Sequence, residues 1–520
     1  MVTEHATTIK CINPSTAQTI GEVPILGKED VEAAVKLAWA AFESWRLTDF
    51  HQRAHKVLKL RQIISSQADQ LAAMISSEVG KPLAESYMAE LIGPLDACTW
   101  FADNTERALK EQVINLDNPL LTSKQSLLTF EPLGVVAIIS PWNYPFAIPM
   151  MAIIMALMTG NAVVLKPSEK ASLIGIKIGE LILQAGFPEG LVTVITGDRN
   201  TGAFLVGSKV QKIIFTGSVP GGSNVMAGAA RNLTPVSLEL GGKDAAIVLP
   251  DAPVDWTAHG LVWGAFTNCG QACASIERVY LVKNKNTDKL VSAIVAEANK
   301  LRIGPGLDRN TDVGPMIDEG QLRIVERQVD EARAAGATVL TGGKRRQDLP
   351  GFFYEPTVLT GVNHSMSIMK DETFGPVLPI MIVDSEDEAV ELANDSDFGL
   401  SASVWSRNLG RAEDVARDLD AGTVFINDCL FSFACPQVPW GGMKKSGSGR
   451  AHSYFGLLDL VHIKHISIDS AGGLHRLWWY PYGEPKIETA RGGVEFMHGS
   501  FPFGRLRGLG RFLCNFLRRG

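Results

Sequence analysis

The spacing of apolar positions changes character near residue 127. Before it the spacing is helical: Val31, Val35, Ala38 and Phe42 share one face, and Val57, Leu60, Ile64, Leu71 and Ile75 share another. The second set predicts one long helix from about Gln52 to Val79, stopped by Gly80-Lys-Pro82. Residues 84–109 continue the helical period, and residues 9–24 read as two short strands around an Asn-Pro-Ser-Thr turn. From Leu127 onward, short β-rich runs alternate with helical segments. The runs at 135–139, 162–165, 192–195, 212–215, 245–249, 279–282, 378–383 and 422–426 predict strands. Strand, crossover helix and strand in repetition imply a parallel sheet with helices on both faces. The expected fold class is therefore α/β, with two doubly wound domains facing one another. No short-period repeat is present, which excludes a solenoid.

Composition narrows the class without changing the pattern. A chain of 520 residues, 46% apolar and 20% charged, suits two or three globular domains. Its seven cysteines are odd in number and scattered, so a reducing compartment is expected and a disulfide scaffold is not. Cys269 and Cys273 have no nearby His and no second pair to complete a zinc site, so no metal is expected. The N-terminus, with Glu4 and His5, lacks a secretory apolar core. The most apolar stretch, 146–159, contains Pro149, is too short to span a bilayer and reads as a buried helix. A cytoplasmic protein is the expectation.

In doubly wound sheets ligands sit beyond the carboxyl ends of the strands. Asn143, Lys166, Glu169 and the Gly217-Ser218 turn all follow expected strands. Phe215-Thr-Gly-Ser218, leading into Val-Pro-Gly-Gly222, suits backbone approach to a phosphate at a helix N-terminus. The G-x-G-x-x-G fingerprint is absent, so the stretch reads equally as an ordinary turn. Lys166 and Glu169 in Lys-Pro-Ser-Glu suit ribose hydroxyls or a solvated ion pair; a carboxylate there disfavours a 2′-phosphate and so favours NAD over NADP. Glu239, inside the apolar run 236–240 and followed by two glycines, is costly to bury as a charge, which suits a general base or a paired structural carboxylate. Cys273 in Gly-Gln-Ala-Cys is a candidate nucleophile, set against the inert packing usual for a free cysteine.

Seven motifs occur in order: Pro141-Trp-Asn-Tyr-Pro145, Lys166-Pro-Ser-Glu169, Phe215-Thr-Gly-Ser218, Glu239-Leu-Gly-Gly-Lys243, Gly270-Gln-Ala-Cys273, Glu372-Thr-Phe-Gly-Pro-Val377 and Pro439-Trp-Gly-Gly-Met-Lys-Lys-Ser-Gly-Ser-Gly-Arg450. Over residues 10 to 465 the chain resembles the NAD(P)-dependent aldehyde dehydrogenase superfamily. The resemblance implies Cys273 as nucleophile, Asn143 with the Cys273 backbone N–H as oxyanion donors, and Glu239 as the base that activates water. It implies that Lys166 and Glu169 hold the adenosine ribose, Gly217 and Ser218 the pyrophosphate, and Glu372 the nicotinamide ribose, with Trp142 and Phe374 beside the cofactor. Glu239 favours hydrolysis over acyl transfer to CoA. The expected cofactor is NAD, with NADP as the alternative, and the expected assembly is a homodimer or homotetramer. The implied division is 1–115 with 132–242 for the NAD-binding domain and 243–440 for the catalytic domain. The implied oligomerisation arm is 116–131 with 441–490, and 491–520 is a basic amphipathic tail. Departures are Trp440 where Phe is usual, and Cys269, which reads as inert packing or as an oxidative partner of Cys273.

Charge singles out the tail. Residues 491–520 hold six Arg and one acid, Glu495, on a chain whose net charge is −7, which argues against general nucleic-acid binding. Leu506, Leu509, Leu513, Phe516 and Leu517 fall on one helical face, with Arg507, Arg511 and Arg518 away from it. This pattern suits peripheral contact with an anionic membrane, or docking on a partner subunit. Gly508 and Gly510 weaken the helix in isolation. Membrane contact would bring a lipophilic aldehyde, fatty, terpenoid or carotenoid-type, through a tunnel with Trp142, Phe266, Phe431 and Phe433 as apolar candidates. A soluble semialdehyde or aromatic aldehyde is the alternative substrate, and an idle scaffold the alternative of another class.

Overall fold

The computed structural model describes residues 7–118, 121–472, 476, 478–500 and 502–517. Of the residues singled out above, Glu4, His5, Arg518 and Arg519 lie outside this set, and the side chains of Phe516 and Leu517 do as well. The chain divides into two compact units, Met1–Lys110 with Phe130–Ile463, and Glu111–Thr129 with Lys464–Gly520.

The first unit holds two sheets, each with its own apolar core. One runs 447–448, 236–239, 212–216, 135–139, 162–166, 192–194, and all its neighbours are parallel except the short antiparallel pair 447–448 with 236–239. The other runs 338–341, 357–360, 377–383, 276–282, 244–248, 401–405, 423–426, parallel except at the 338–341 edge. The central strands are buried along their whole length because helices cover both faces, which is why they read as unbroken apolar runs. The helix Ala147–Met158 is buried except at Ile148, and Glu90 caps it by accepting from the N–H groups of Phe146 (3.1 Å) and Ala147 (2.9 Å).

Two helical expectations change. The run 52–79 is two helices, Phe50–Ser66 and Ala68–Val79, broken at Gln67 (φ −107, ψ 15). Ser66 turns its hydroxyl onto the Ile63 carbonyl (2.9 Å), a local competitor to helix continuation, while a one-residue break leaves Leu60, Ile64, Leu71 and Ile75 all inward. The run 84–109 opens with Leu83–Glu85, passes through a π-helical turn, Ser86–Leu91, and becomes a regular helix, Ile92–Leu109. A π-turn rotates the faces that follow it and is frequent beside functional sites.

The second unit carries most of a three-stranded sheet of Val461–Asp469, Lys124–Pro132 and Gln112–Ile114, in that order, and a helical pair, Glu484–His498 and Phe503–Leu517. The tail helix forms despite its glycines, and one of them admits the partner helix: a Cβ on Gly508 would lie 2.2 Å from the Phe496 nitrogen. Arg511 and Arg507 meet Glu495 at 2.7 and 3.3 Å, so part of the tail's positive charge is matched within the helical pair. Leu506 and Leu513 stay exposed. Among the described residues no helix is long and apolar enough to cross a membrane.

Candidate active site

Cys273 follows the helix Val254–Phe266 and a tight turn, Thr267–Gly270, in which Asn268 (φ 49), Cys269 (φ 57) and Gly270 (φ 70) are all left-handed. Two non-glycine residues in that region are strained and must be held from outside. Glu85 holds them, accepting from Thr267 Oγ1 (3.0 Å) and the Asn268 backbone N–H (2.8 Å). The Asn268 amide donates to the carbonyls of Asn143 and Gln271 (both 3.0 Å), and Gln271 Oε1 accepts from the Ile317 N–H (2.8 Å). Asn143 is buried and donates its amide N–H to the Gln271 carbonyl (3.1 Å). The segment leading into Cys273 is therefore tied to the helix at 83–85 and to the Asn143 turn. Gly270 is required here: a Cβ would stand 2.2 Å from the Gly375 carbonyl oxygen.

Cys273 is half-buried and opens on a cavity of about 260 Å³. Met88, Trp263 and Phe431, about half exposed, form its outer part, while Glu239, His452 and Leu460 lie deep. Phe433 also lines it, its ring 5.1 Å from His452 and 5.7 Å from Trp440. Two expected tunnel residues do not line it: Phe266 belongs to the core of the second sheet, and Trp142 stands edge-on to Phe374 at 5.4 Å. Glu239 ends the strand Val236–Glu239 with its Oε2 unpartnered among the described residues. Burial raises its carboxyl well above the ordinary range, against the pull of Arg450. Burial also pushes the Cys273 thiol up, aided by Asp244, Glu372 and Glu239. Cys269 is buried against the Met316 sulfur (3.6 Å), which fits packing.

The second group of expected residues lies at strand ends of the first sheet. Lys166 ends its strand, nearly buried, with Nζ 3.4 Å from the half-exposed Glu169. Gly217 donates its N–H to the Glu239 carbonyl (3.0 Å), and Ser218 caps the helix Val219–Ala230, its Oγ accepting from Gly221 (3.3 Å). Glu372 accepts from the Gly242 N–H (3.1 Å), and its carboxyl is raised to about 8 by burial and by Glu277. An enclosed ion pair that the sequence reading did not single out sets this loop. Lys243 Nζ meets Glu277 at 2.7 Å, and Glu277 accepts from the N–H groups of Thr373 (2.7 Å) and Phe374 (2.9 Å). Among the described residues no metal-ligating cluster exists.

The description "Aldehyde dehydrogenase family" belongs to a family model that matches residues 1–466. The chain belongs to the aldehyde dehydrogenase family. It is 38% identical to aminoaldehyde dehydrogenase 1, peroxisomal, of Pisum sativum, over 88% of this chain and 91% of that one. It is 35% identical to 4,4'-diapolycopene aldehyde oxidase of Methylomonas sp, over 95% and 92%. Among solved structures, betaine aldehyde dehydrogenase from Staphylococcus aureus in complex with NAD+ matches with TM-score 0.86 at 36% identity, covering 91% of this chain and 94% of that one. In this aldehyde dehydrogenase, Glu85 and Glu277 escaped sequence reading because their partners are 182 and 96 residues distant.

Proposed function

We propose that this protein oxidises an apolar aldehyde to a carboxylic acid, with NAD as cofactor and Cys273 as nucleophile. The observation that carries the reading is the cavity, in which the Cys273 thiol, the Glu239 carboxyl (its Oε2 unpartnered among the described residues) and an apolar wall meet. The first sheet offers a fitting cradle for the dinucleotide. Gly217 and Gly221 leave no Cβ at the helix N-terminus capped by Ser218, and Lys166 and Glu169 flank it one strand beyond the central one. Lys166, Glu169, Gly217 and Ser218 would hold the adenosine diphosphate part, and Glu372, Trp142 and Phe374 the nicotinamide end. NAD, when bound, supplies the hydride acceptor. Gly241 is compatible with that role for Glu372, since a Cβ there would press on the carboxylate at 2.3 Å.

The chain's own groups account for the rest. The buried thiol must lose its proton before sulfur bonds to the aldehyde carbon, and Glu239 is a base facing the same cavity. The Asn143 amide has two N–H groups; one is spent on Gln271 and orients the other as a donor to the oxyanion, with the Cys273 backbone N–H. After oxidation to the thioester, and once the thiol's proton has passed from Glu239 to solvent, the Glu239 carboxylate takes a proton from water as it adds to the acyl carbon, and the C–S bond breaks to release the acid.

Substrate class follows from the wall. Met88, Trp263, Phe431 and Phe433 are neutral, and the one basic side chain of the guanidinium or ammonium type in the lining, Arg450, donates to the Gly442 and Gly449 carbonyls. The outer part offers no cation to hold an anionic aldehyde, while its aromatic faces also suit an ammonium group, which keeps the aminoaldehyde reading in view. The alignment with the diapolycopene enzyme spans 95% of this chain and so extends past the family core, which favours a long polyene or fatty aldehyde. On the same reading 1–115 with 132–242 binds the dinucleotide and 243–440 carries the nucleophile. The arm 116–131 with 441–490 makes a homodimer or homotetramer; exposed Ile466 and Ile468 on an edge strand support this. The tail meets an anionic membrane through Phe503, Leu506 and Leu513, all exposed. Cys273→Ala is the test of chemistry: it should abolish NADH formation from decanal, and retention of that activity would refute the reading.

A further inference from the structure

The deep end of the Cys273 cavity holds a group that the chemistry above leaves idle. His452 is 1% exposed, lines the cavity, and its Nδ1 has no hydrogen-bond partner among the described residues. Its backbone sits at φ 60, ψ 178, where an L-residue is strained and glycine is at ease, and Ser453 follows at φ 54. The strain is imposed from both sides. Trp440 and Ala451 exchange backbone bonds at 3.0 and 2.8 Å, and Ser453 donates to the Pro436 carbonyl at 2.9 Å. Glycine would relieve the backbone and leucine would remove the unpaired nitrogen, yet an imidazole stands here, packed against Phe433. Strain and an unpaired buried polar atom at one residue point to use.

The other unpartnered buried atom in the same wall is Glu239 Oε2. Among the neighbouring polar groups, Ser237, Asp459 and Arg450 are already committed. Ser237 donates to Asp459, Lys212 pairs with Asp459 at 2.7 Å, and Arg450 donates to backbone carbonyls. Burial keeps His452 neutral, lowering it to about 4, so one ring nitrogen is a lone-pair acceptor. A carboxylate and a neutral imidazole are two acceptors, and a water molecule has two protons to give. Held between them, it keeps a lone pair free for an electrophile.

We propose that His452 is a positioning residue that, with Glu239, holds the water which cleaves the Cys273 thioester. This rests on the dehydrogenase reading above. In the step, the water oxygen bonds to the acyl carbon and one water proton passes to Glu239. The C–S bond breaks with its electron pair on the Cys273 sulfur, and the carboxylic acid leaves. His452 accepts a hydrogen bond from the second proton throughout and is itself unchanged.

The test separates formation of the acyl-enzyme from its hydrolysis. With decanal and NAD, the first-turnover NADH burst reports formation, and rapid quench with intact mass reports the lifetime of the acyl-enzyme. His452→Ala should lengthen that lifetime about tenfold or more while changing the burst rate less than about twofold. Hydroxylamine, which needs no base, should restore its turnover as hydroxamate. His452→Asn, which keeps an L-side chain on the same backbone and returns a polar atom, should stay within about threefold of the parent. If His452→Ala does not fold, His452→Gly suits φ 60 and carries the same readouts. An unchanged lifetime, or equal loss of both phases without hydroxylamine rescue, would overturn the proposal. A parent that forms no NADH from the aldehyde, in the first turnover or later, would instead overturn the dehydrogenase reading, and this inference with it.

Discussion

Removing Glu85 should loosen the nucleophile without touching it. Its carboxylate makes two bonds, to Thr267 Oγ1 at 3.0 Å and to the Asn268 N–H at 2.8 Å, across the turn that contains Asn268 and Cys269 in left-handed conformations. Hydrogen bonds to a charged group contribute about 1.5–3 kcal/mol each, so Glu85→Ala loses roughly 3–6 kcal/mol before solvent repairs part of it. The two strained residues hold about 1–2 kcal/mol each, which the freed turn can release by moving. A displacement of the sulfur by about 1 Å lowers kcat/KM about a hundredfold. Glu85→Gln behaves differently: its carbonyl still accepts from Asn268 and its amide can donate to the Thr267 oxygen, so kcat/KM should remain within about threefold. The assays are kcat/KM for decanal, the rate of Cys273 alkylation by iodoacetamide, and urea unfolding. Parent-like values of all three in Glu85→Ala would refute the reasoning, as would a Gln variant as poor as the Ala variant.

Glu239→Gln should lower steady-state turnover about 10²–10⁴-fold. A full first-turnover burst should remain if the side chain serves hydrolysis alone, and a lost burst means that it also takes the thiol proton. Gly241→Ala puts a Cβ 2.3 Å from the Glu372 carboxylate, and should raise KM for NAD about tenfold with a smaller effect on KM for the aldehyde. Glu78, fully buried, has its carboxyl raised to about 7 from 4.5 by burial. Its folded state therefore binds the proton more tightly than the unfolded chain. That contribution is complete below about pH 4.5 and is lost as pH rises through about 7, a change of about 3 kcal/mol. Glu78→Gln should flatten the decline of unfolding free energy between pH 5 and pH 8, and an unchanged slope would count against it.

The two sheets were legible because their central strands are covered on both faces and so appear as uninterrupted apolar runs such as Val135–Ile139 and Ala162–Lys166. The ends of those runs also located Asn143, Lys166, Gly217, Ser218 and Glu239. The helical N-terminal part was legible as a period but not in its breaks: a single residue at Gln67 and the π-turn Ser86–Leu91 barely disturb the spacing of inward positions. The supports of the site were not legible at all. Glu85 and Glu277 look like ordinary helix and strand residues until the fold brings the turn at 268 and the loop at 373 against them. His452 follows a motif whose glycines draw attention, and its strain comes from the pairing of Trp440 with Ala451, which no local pattern encodes. Trp142 and Phe266 are apolar candidates for the tunnel from sequence alone; in space one packs on Phe374 and the other fills the core.

The central claim is that Cys273 serves an apolar aldehyde. NADH formation at 340 nm across acetaldehyde, hexanal, decanal and a long polyene dialdehyde in detergent, with 4-aminobutanal and succinic semialdehyde alongside, tests it most directly. The neutral wall of Met88, Trp263, Phe431 and Phe433 predicts kcat/KM rising about tenfold for every two methylenes until the cavity is filled. A maximum at acetaldehyde or at either charged aldehyde would contradict it.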